Sequence, residues 1–315
     1  MTAVRVVFFG TPEFAVPTLR ALIATPHPVV GVVTQPDRPR GRGQKVTPGP
    51  VAALAREAGL PLLQPDTLAD PALREALSAV GADLGVVAAY GRILPEWLLA
   101  LPRAGLINVH ASLLPAYRGA APVHRAVMAG ERETGVTIMR VVKALDAGPM
   151  LADVRVPIGP DATSDEVERA LAEAGAALLV DVVGRLARGP VPETPQDGTA
   201  ATYAAKITRA DSPIDWTWPA ARIHDRVRGL HPWPHASATV AGRRMIVHRS
   251  QVSGGTTTAA PGTVVASGVE GVDVAAGDGR LVRLVELQAE GGRRLPAAAF
   301  LAGHPLPAGS RFDVP

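Results

Sequence analysis

Over its first half the chain alternates short apolar runs with stretches of helical period. Residues 4–10, "VRVVFFG", are an almost unbroken apolar run and predict a strand buried on both faces. A helix is expected over about Glu13–Ala24, and a second strand over Val29–Val33. Pro50–Ala58 reads as a helix stopped by Gly59. Asp70 before Pro71 is an N-cap followed by proline at the first helical position, opening a helix that runs to about Val80. Strand Leu84–Ala89, a short helix near Pro95–Leu101 and strand Leu106–Val109 follow. Next come a helix near Val123–Ala129 and strands near Val136–Val141 and Met150–Val156. Thr163 and Glu166 have the spacing of a capping box. It opens a long helix with Val167, Leu171, Ala174, Leu178 and Val182 at helical period. This alternation predicts an α/β fold with a doubly wound, mostly parallel sheet.

Proline, glycine and threonine break the pattern at residues 189–206, which read as a linker. The expected division is a catalytic domain over 1–188 and a second domain over 207–315. That second part holds one helix, about Pro219–Gly229, and then short strands and turns. "TVAGRRMIV" reads as a hairpin across Ala241-Gly242, and "VDVAAGDGRLVRLVEL" as another around Gly277-Asp278-Gly279. A small all-β barrel is the natural closure of such strands. The tail "GHPLPAGSRFDVP" is rich in turn formers.

Composition narrows the classes of function. Hydrophobic residues make up 47% of the 315, enough for a large core. No apolar run approaches the ~20 residues of a membrane helix. The N-terminus lacks a signal-peptide pattern, so a cytoplasmic protein is expected. With no cysteine, disulfides, thiolate metal sites and cysteine nucleophiles are excluded. The net charge of +3 resides wholly in residues 207–315, which hold 12 basic and 9 acidic side chains. A weakly basic second domain hints at an anionic partner.

The candidate chemistry lies at the ends of predicted strands. The turn Gly10–Phe14 has one glycine where a dinucleotide fingerprint needs three, so a nicotinamide cofactor is not expected. Residues 34–50 form a connection far longer than the usual ~2–6 residues. Arg38, Arg40, Arg42 and Lys45 lie there against the single acid Asp37, which suits phosphate and base contacts. Asn108 and His110 share strand parity, so both side chains leave one side of the strand end. An amide can donate to a developing oxyanion, and a histidine can move a proton near neutral pH. Asp146, in a turn between two strands, is placed to return to the same edge and orient His110. A serine-hydrolase reading of Ser112, His110 and Asp146 lacks the nucleophile elbow. His110 and His124 with the nearby acids lack the helical H-E-x-x-H arrangement of a zinc protease, so no metal is expected.

Residues 107–151, beginning "INVHASLLPAYRGAAPVHR", resemble the signature of the formyltransferases that use 10-formyltetrahydrofolate. "VVAAYGRILP", residues 86–95, is similar to their folate-site strand and loop. "VVTQPDRPRGRGQKVTPGPV", residues 32–51, resembles an inserted loop of the branch that acts on initiator methionyl-tRNA. "KITRADSPIDW" and "HPWP" are similar to the start of that branch's C-terminal domain, which resembles an oligonucleotide-binding (OB) fold. The resemblance implies a catalytic trio of Asn108, His110 and Asp146. It implies folate contacts from Arg92, Ile93 and Leu94 and from the turn Ser112, Leu113, Leu114 and Pro115. It implies tRNA contacts from Arg38, Arg40, Arg42 and Lys45, with Arg42 reaching toward the acceptor stem, and a barrel that holds the inside of the tRNA. Gln44 stands where the family often has a second basic residue, one phosphate contact fewer. The expected partners are 10-formyltetrahydrofolate as co-substrate and initiator methionyl-tRNA, acted on by a monomer. The nearest rivals act on an amino sugar or a glycinamide nucleotide.

Overall fold

The structure, a computed structural model, describes residues 3–40 and 45–314, without the side chains of Arg40 and Lys45. The chain forms two compact units. The first comprises Met1–Pro122, Glu133–Pro157 and Glu168–Ala204; the second comprises Val123–Arg132, Ile158–Val167 and Ala205–Pro315. The stretch 189–204, expected to be a linker, is packed into the first unit. Met150 and Thr194 form a β-bridge, and Tyr203-Ala204 pairs in parallel with Arg118-Gly119.

The first unit is built on seven strands. They are β1 Val6–Gly10, β2 Val29–Val33, β3 Leu62–Leu63, β4 Leu84–Ala88, β5 Leu106–His110, β6 Glu133–Arg140 and β7 Met150–Pro157. Their order across the sheet is β7-β6-β5-β4-β1-β2-β3. The run from β5 to β3 is parallel, while β6 is antiparallel to both β5 and β7. The central strands β1 and β4 are buried along their whole length, which is why they read as solid apolar runs. One helix starts at a side-chain cap. Asp70 Oδ1 accepts from the Ala72 N–H at 2.9 Å, and the helix Pro71–Val80 ends at Gly81 in the left-handed region.

One helix face differs from expectation. In the helix Ser164–Leu186, Leu171, Ala172, Ala176, Leu179, Val182 and Val183 are buried, while Ala174 and Leu178 are only half-buried. The stripe turns because Gly175 makes the close approach to the sheet. A Cβ on it would stand 3.0 Å from Val109 Cγ1 and 3.1 Å from Val136 Cγ1.

The second unit is a closed antiparallel barrel. Its strands are β8 Ala236–Val240, β9 Arg243–Thr256, β10 Val264–Gly268, β11 Gly271–Ala275 and β12 Arg280–Ala289, in the order β8-β9-β12-β11-β10. The β8–β9 turn uses Ala241 at φ 48° and Gly242 at φ 72°, the left-handed pair that suits a tight hairpin. The turn-rich tail closes the barrel: Phe312 bridges Val240 on β8, and Arg311 bridges Thr263 beside β10. Phe312 is buried and stacks on Trp216, with ring centroids 5.1 Å apart. Among the described residues no helix is long and apolar enough to cross a membrane.

Candidate active site

Strand order reverses between β1 and β4, and at such a reversal the loops part beyond the carboxyl ends of the strands. The loops that leave there are tied together. Thr11 Oγ1 and Gln35 Nε2 both donate to the Tyr90 carbonyl, at 3.2 and 2.9 Å. Because β4 and β5 are parallel neighbours, the segments after Ala88 and after His110 leave the same edge.

His110 ends β5 and is buried, with both ring nitrogens facing oxygen acceptors. Nε2 stands 3.1 Å from the Tyr117 carbonyl. Nδ1 stands 3.8 Å from Asp146 Oδ2. Arg140, the last residue of β6, pairs with Ile107 near the start of β5, so the connection to β7 must fold back to bring Asp146 to His110. Three contacts hold it there. The Gly119 N–H donates to Asp146 Oδ2 at 2.8 Å, and Gln196 Nε2 donates to the carbonyls of Asp146 at 2.9 Å and Gly148 at 2.7 Å. Asp146 itself sits at φ 49°, a left-handed conformation that a non-glycine residue keeps only where its surroundings over-determine it. Gln196 Oε1 in turn accepts from Nε and Nη2 of the buried Arg118, at 3.1 and 2.7 Å. Asn108 is half-buried, and its side chain makes no hydrogen bond to a described residue.

The turn after His110 is held by buried hydrogen bonds. The Ser112 hydroxyl is fully buried and donates to the Ala116 carbonyl at 2.6 Å, so it is committed to structure. Thr137 Oγ1 donates to the Ser112 carbonyl at 2.8 Å and accepts from the Leu114 N–H at 3.1 Å. The Leu114–Pro115 peptide is cis. Leu113 packs so near Gly135 that a Cβ there would meet Leu113 Cδ2 at 2.4 Å.

Arg92, Ile93 and Leu94 have three different environments. Arg92 Nη1 donates to the Pro65 and Asp66 carbonyls at 3.3 and 2.8 Å. Ile93 is 88% exposed, and Leu94 packs on the core around Tyr90 and Leu98. Arg92 and Ile93 line an open cleft of about 750 Å³, together with Asp66, Pro71, Arg74 and Trp97. Neither the polar trio nor the turn 112–115 lines this cleft.

The long arginine-rich connection contains a short hairpin, Arg38–Arg40 with Lys45–Thr47. Arg38 is exposed, and Arg42 lies outside the described residues. Asp37 fixes the hairpin's base. Burial pushes its carboxyl up, but hydrogen bonds from Gln64, Arg56 and the Gly49 N–H outweigh this and hold it below the ordinary carboxylate value. Gln196, Arg118, Thr137 and Tyr117 are the site residues that sequence reasoning misses. Their roles rest on contacts between distant segments, and no local pattern marks them.

Residues 4–183 match the family model described as formyl transferase, and residues 206–305 match the formyl transferase C-terminal domain. A methionyl-tRNA formyltransferase of Methylococcus capsulatus is 48% identical over 98% of this chain and 100% of its own length. The chain belongs to the methionyl-tRNA formyltransferase family. Another member, from Paracoccus denitrificans, is 47% identical over 96% of this chain and 98% of its own. Among solved structures, an N-formyltransferase of Helicobacter canadensis in complex with folinic acid and dTDP-3-aminofucose superposes with a TM-score of 0.68 at 16% identity. The match covers 89% of this chain and 98% of that one. That likeness is one of fold. The near-complete coverage by members of this family disfavours the amino-sugar and glycinamide-nucleotide alternatives.

Proposed function

We infer that this protein transfers the formyl group of 10-formyltetrahydrofolate to the α-amine of initiator methionyl-tRNA. Beside the full-length likeness to its family, the observation that supports the site assignment is the approach of Asp146 to His110 at the end of β5, the strand that also carries Asn108. In the reaction the amine attacks the formyl carbon, and negative charge develops on the formyl oxygen. The bond to N10 then breaks, and the proton lost by the amine ends on N10.

Each residue has a role in that sequence. The free amide of Asn108 donates to the developing oxyanion. A carbonyl accepts only, so the His110 nitrogen facing Tyr117 carries a proton. The other nitrogen lies 3.8 Å from Asp146 Oδ2, so the carboxylate orients the ring beside the reacting centre. Asp146 Oδ2 is held by Gly119, which leaves Oδ1 to take the amine proton on its way to N10. An aminoacyl ester lowers its own amine's pKa below the ~7.7–8.0 of a free α-amine, so little base strength is needed. Positioning and oxyanion stabilisation therefore outweigh proton abstraction.

The turn Ser112–Pro115 and the loop Arg92–Leu94 are the folate contacts in this reading. Beside that loop, Ile93 and Trp97 give an open cleft apolar walls, but the cleft is a separate surface from the polar trio. The basic hairpin around Arg38, with Arg40, Arg42 and Lys45, is the tRNA contact, and the barrel unit supports the rest of the tRNA.

Asn108→Ala tests the assignment. Loss of one oxyanion donor should lower the single-turnover rate by about 10²–10³ while folate affinity stays near wild type. An unchanged single-turnover rate would remove Asn108 from the chemistry.

A further inference from the structure

Three of the chain's eight histidines meet in the second unit. His231 and His235 flank the Pro232-Trp233-Pro234 turn between the helix Ala220–Gly229 and β8. His248 lies on β9, and the pairing of Ala236 with Val247 brings it beside His235. One ring nitrogen from each comes within 4.8 Å of the other two. Ring centroids stand 5.1 Å apart for His231 and His235, 4.3 Å for His235 and His248, and 6.5 Å for His231 and His248.

All three Nδ1 atoms are buried without a hydrogen-bond partner. An unsatisfied buried polar atom costs about 1–3 kcal/mol, so three in one place call for a ligand. The opposite nitrogens show which form these rings take. His248 Nε2 is 2.8 Å from Gln288 Oε1, whose amide is oriented by donation from its Nε2 to the Gly292 carbonyl. His231 Nε2 is 3.6 Å from Asp165 Oδ1. Gln288 Oε1 accepts, so on His248 the proton sits on Nε2 and the lone pair on Nδ1, and the nearby Asp165 carboxylate favours the same tautomer on His231. A metal-bound histidine is commonly arranged this way, with its remote N–H held by a carboxylate or amide oxygen.

We propose that His231, His235 and His248 form a binding site for a divalent transition metal of the zinc type, with Nδ1 of each as ligand and solvent completing a tetrahedron. Three imidazoles bonded to one ion at ~2.0–2.1 Å put their ring centroids roughly 5 Å apart, a value that the observed spacings straddle. Binding would part the rings of His235 and His248 and draw His231 toward His248, each by roughly 1 Å. Burial keeps all three rings below the ordinary histidine value, His235 at about 4, so they are neutral as ligands must be. The charged groups around them are Asp165, Glu286, Arg294 and Arg249. Arg294 is paired with Glu286 and Arg249 with Glu166, which offsets their repulsion of a cation. A bound ion would pin the proline-rich turn to β9 and stabilise the barrel.

The test uses the full chain, stripped with a chelator and titrated with Co²⁺ alone as a coloured probe. Visible ligand-field bands should saturate at one equivalent and vanish when Zn²⁺ is added. Both ions should raise the thermal midpoint. His235→Gln should weaken binding at least tenfold, and Gln288→Ala by about 10–100-fold through loss of the outer contact. If a variant fails to fold, side-chain ¹⁵N spectra of the wild type decide. Zn²⁺ should move Nδ1 of three histidines and leave Nε2 protonated on His231 and His248. Absence of saturable binding, binding indifferent to His235→Gln, or movement of other histidines instead would overturn the site.

Discussion

At the end of β5 one imidazole lies between two oxygen acceptors, the Tyr117 carbonyl and the Asp146 carboxylate. Strand parity made Asn108 and His110 visible in the sequence, because two polar residues at i and i+2 end an otherwise apolar run. Asp146 was visible only as a turn residue, since its return to His110 depends on the path of the β6–β7 connection. Gln196 was not visible at all. It sits among prolines and glycines, yet it holds Asp146 and Gly148 by their carbonyls and is itself held by Arg118. Gln196→Ala should therefore lower kcat by up to about 10²-fold through misplacement of Asp146. The KM for 10-formyltetrahydrofolate should hold, and the pH–rate profile should shift. Loss of stability with kcat and the profile both unchanged would reduce Gln196 to a structural brace.

At the scale of elements, capping signals marked the starts of Pro71–Val80 and Ser164–Leu186, because their chemistry is local. The box at the start of Ser164–Leu186 also has an electrostatic consequence. The Arg249 guanidinium, with the Thr163 N–H, holds the Glu166 carboxyl at about 2 against an ordinary 4.5. Above about pH 4.5 the carboxylate is ionised folded and unfolded, and its stabilising effect is complete. Between there and about pH 2 only the unfolded chain takes up the proton, so this contribution is lost as pH falls. The pair is a third exposed, so the effect is modest. Urea unfolding of Glu166→Gln should show a flatter acid limb than wild type over that window, and parallel limbs would contradict the pairing. Elements set by distant contacts were harder to read. The buried stripe of the long helix turned at Gly175, where the sheet comes close, and the arginine-rich connection acquired a hairpin.

For the whole molecule, the alternation of apolar runs and helical periods was enough to give the doubly wound sheet. A small barrel was legible from the short strands, but the tail's part in closing it was not, because a turn-rich segment carries no strand pattern. Phe312 and Arg311 close it through two isolated bridges and a stacked ring. The division into units also crosses the expected boundary: Val123–Arg132 and Ile158–Val167 cluster with the barrel, a grouping that sequence distance conceals. One assay of this chain measures the proposed activity and its choice of tRNA together. The full-length protein is mixed with 10-formyltetrahydrofolate and either initiator or elongator methionyl-tRNA, and formyl-methionine is followed with time. Rapid formylation of the initiator and little or none of the elongator is the predicted result. No formyl-methionine on the initiator tRNA would contradict the account.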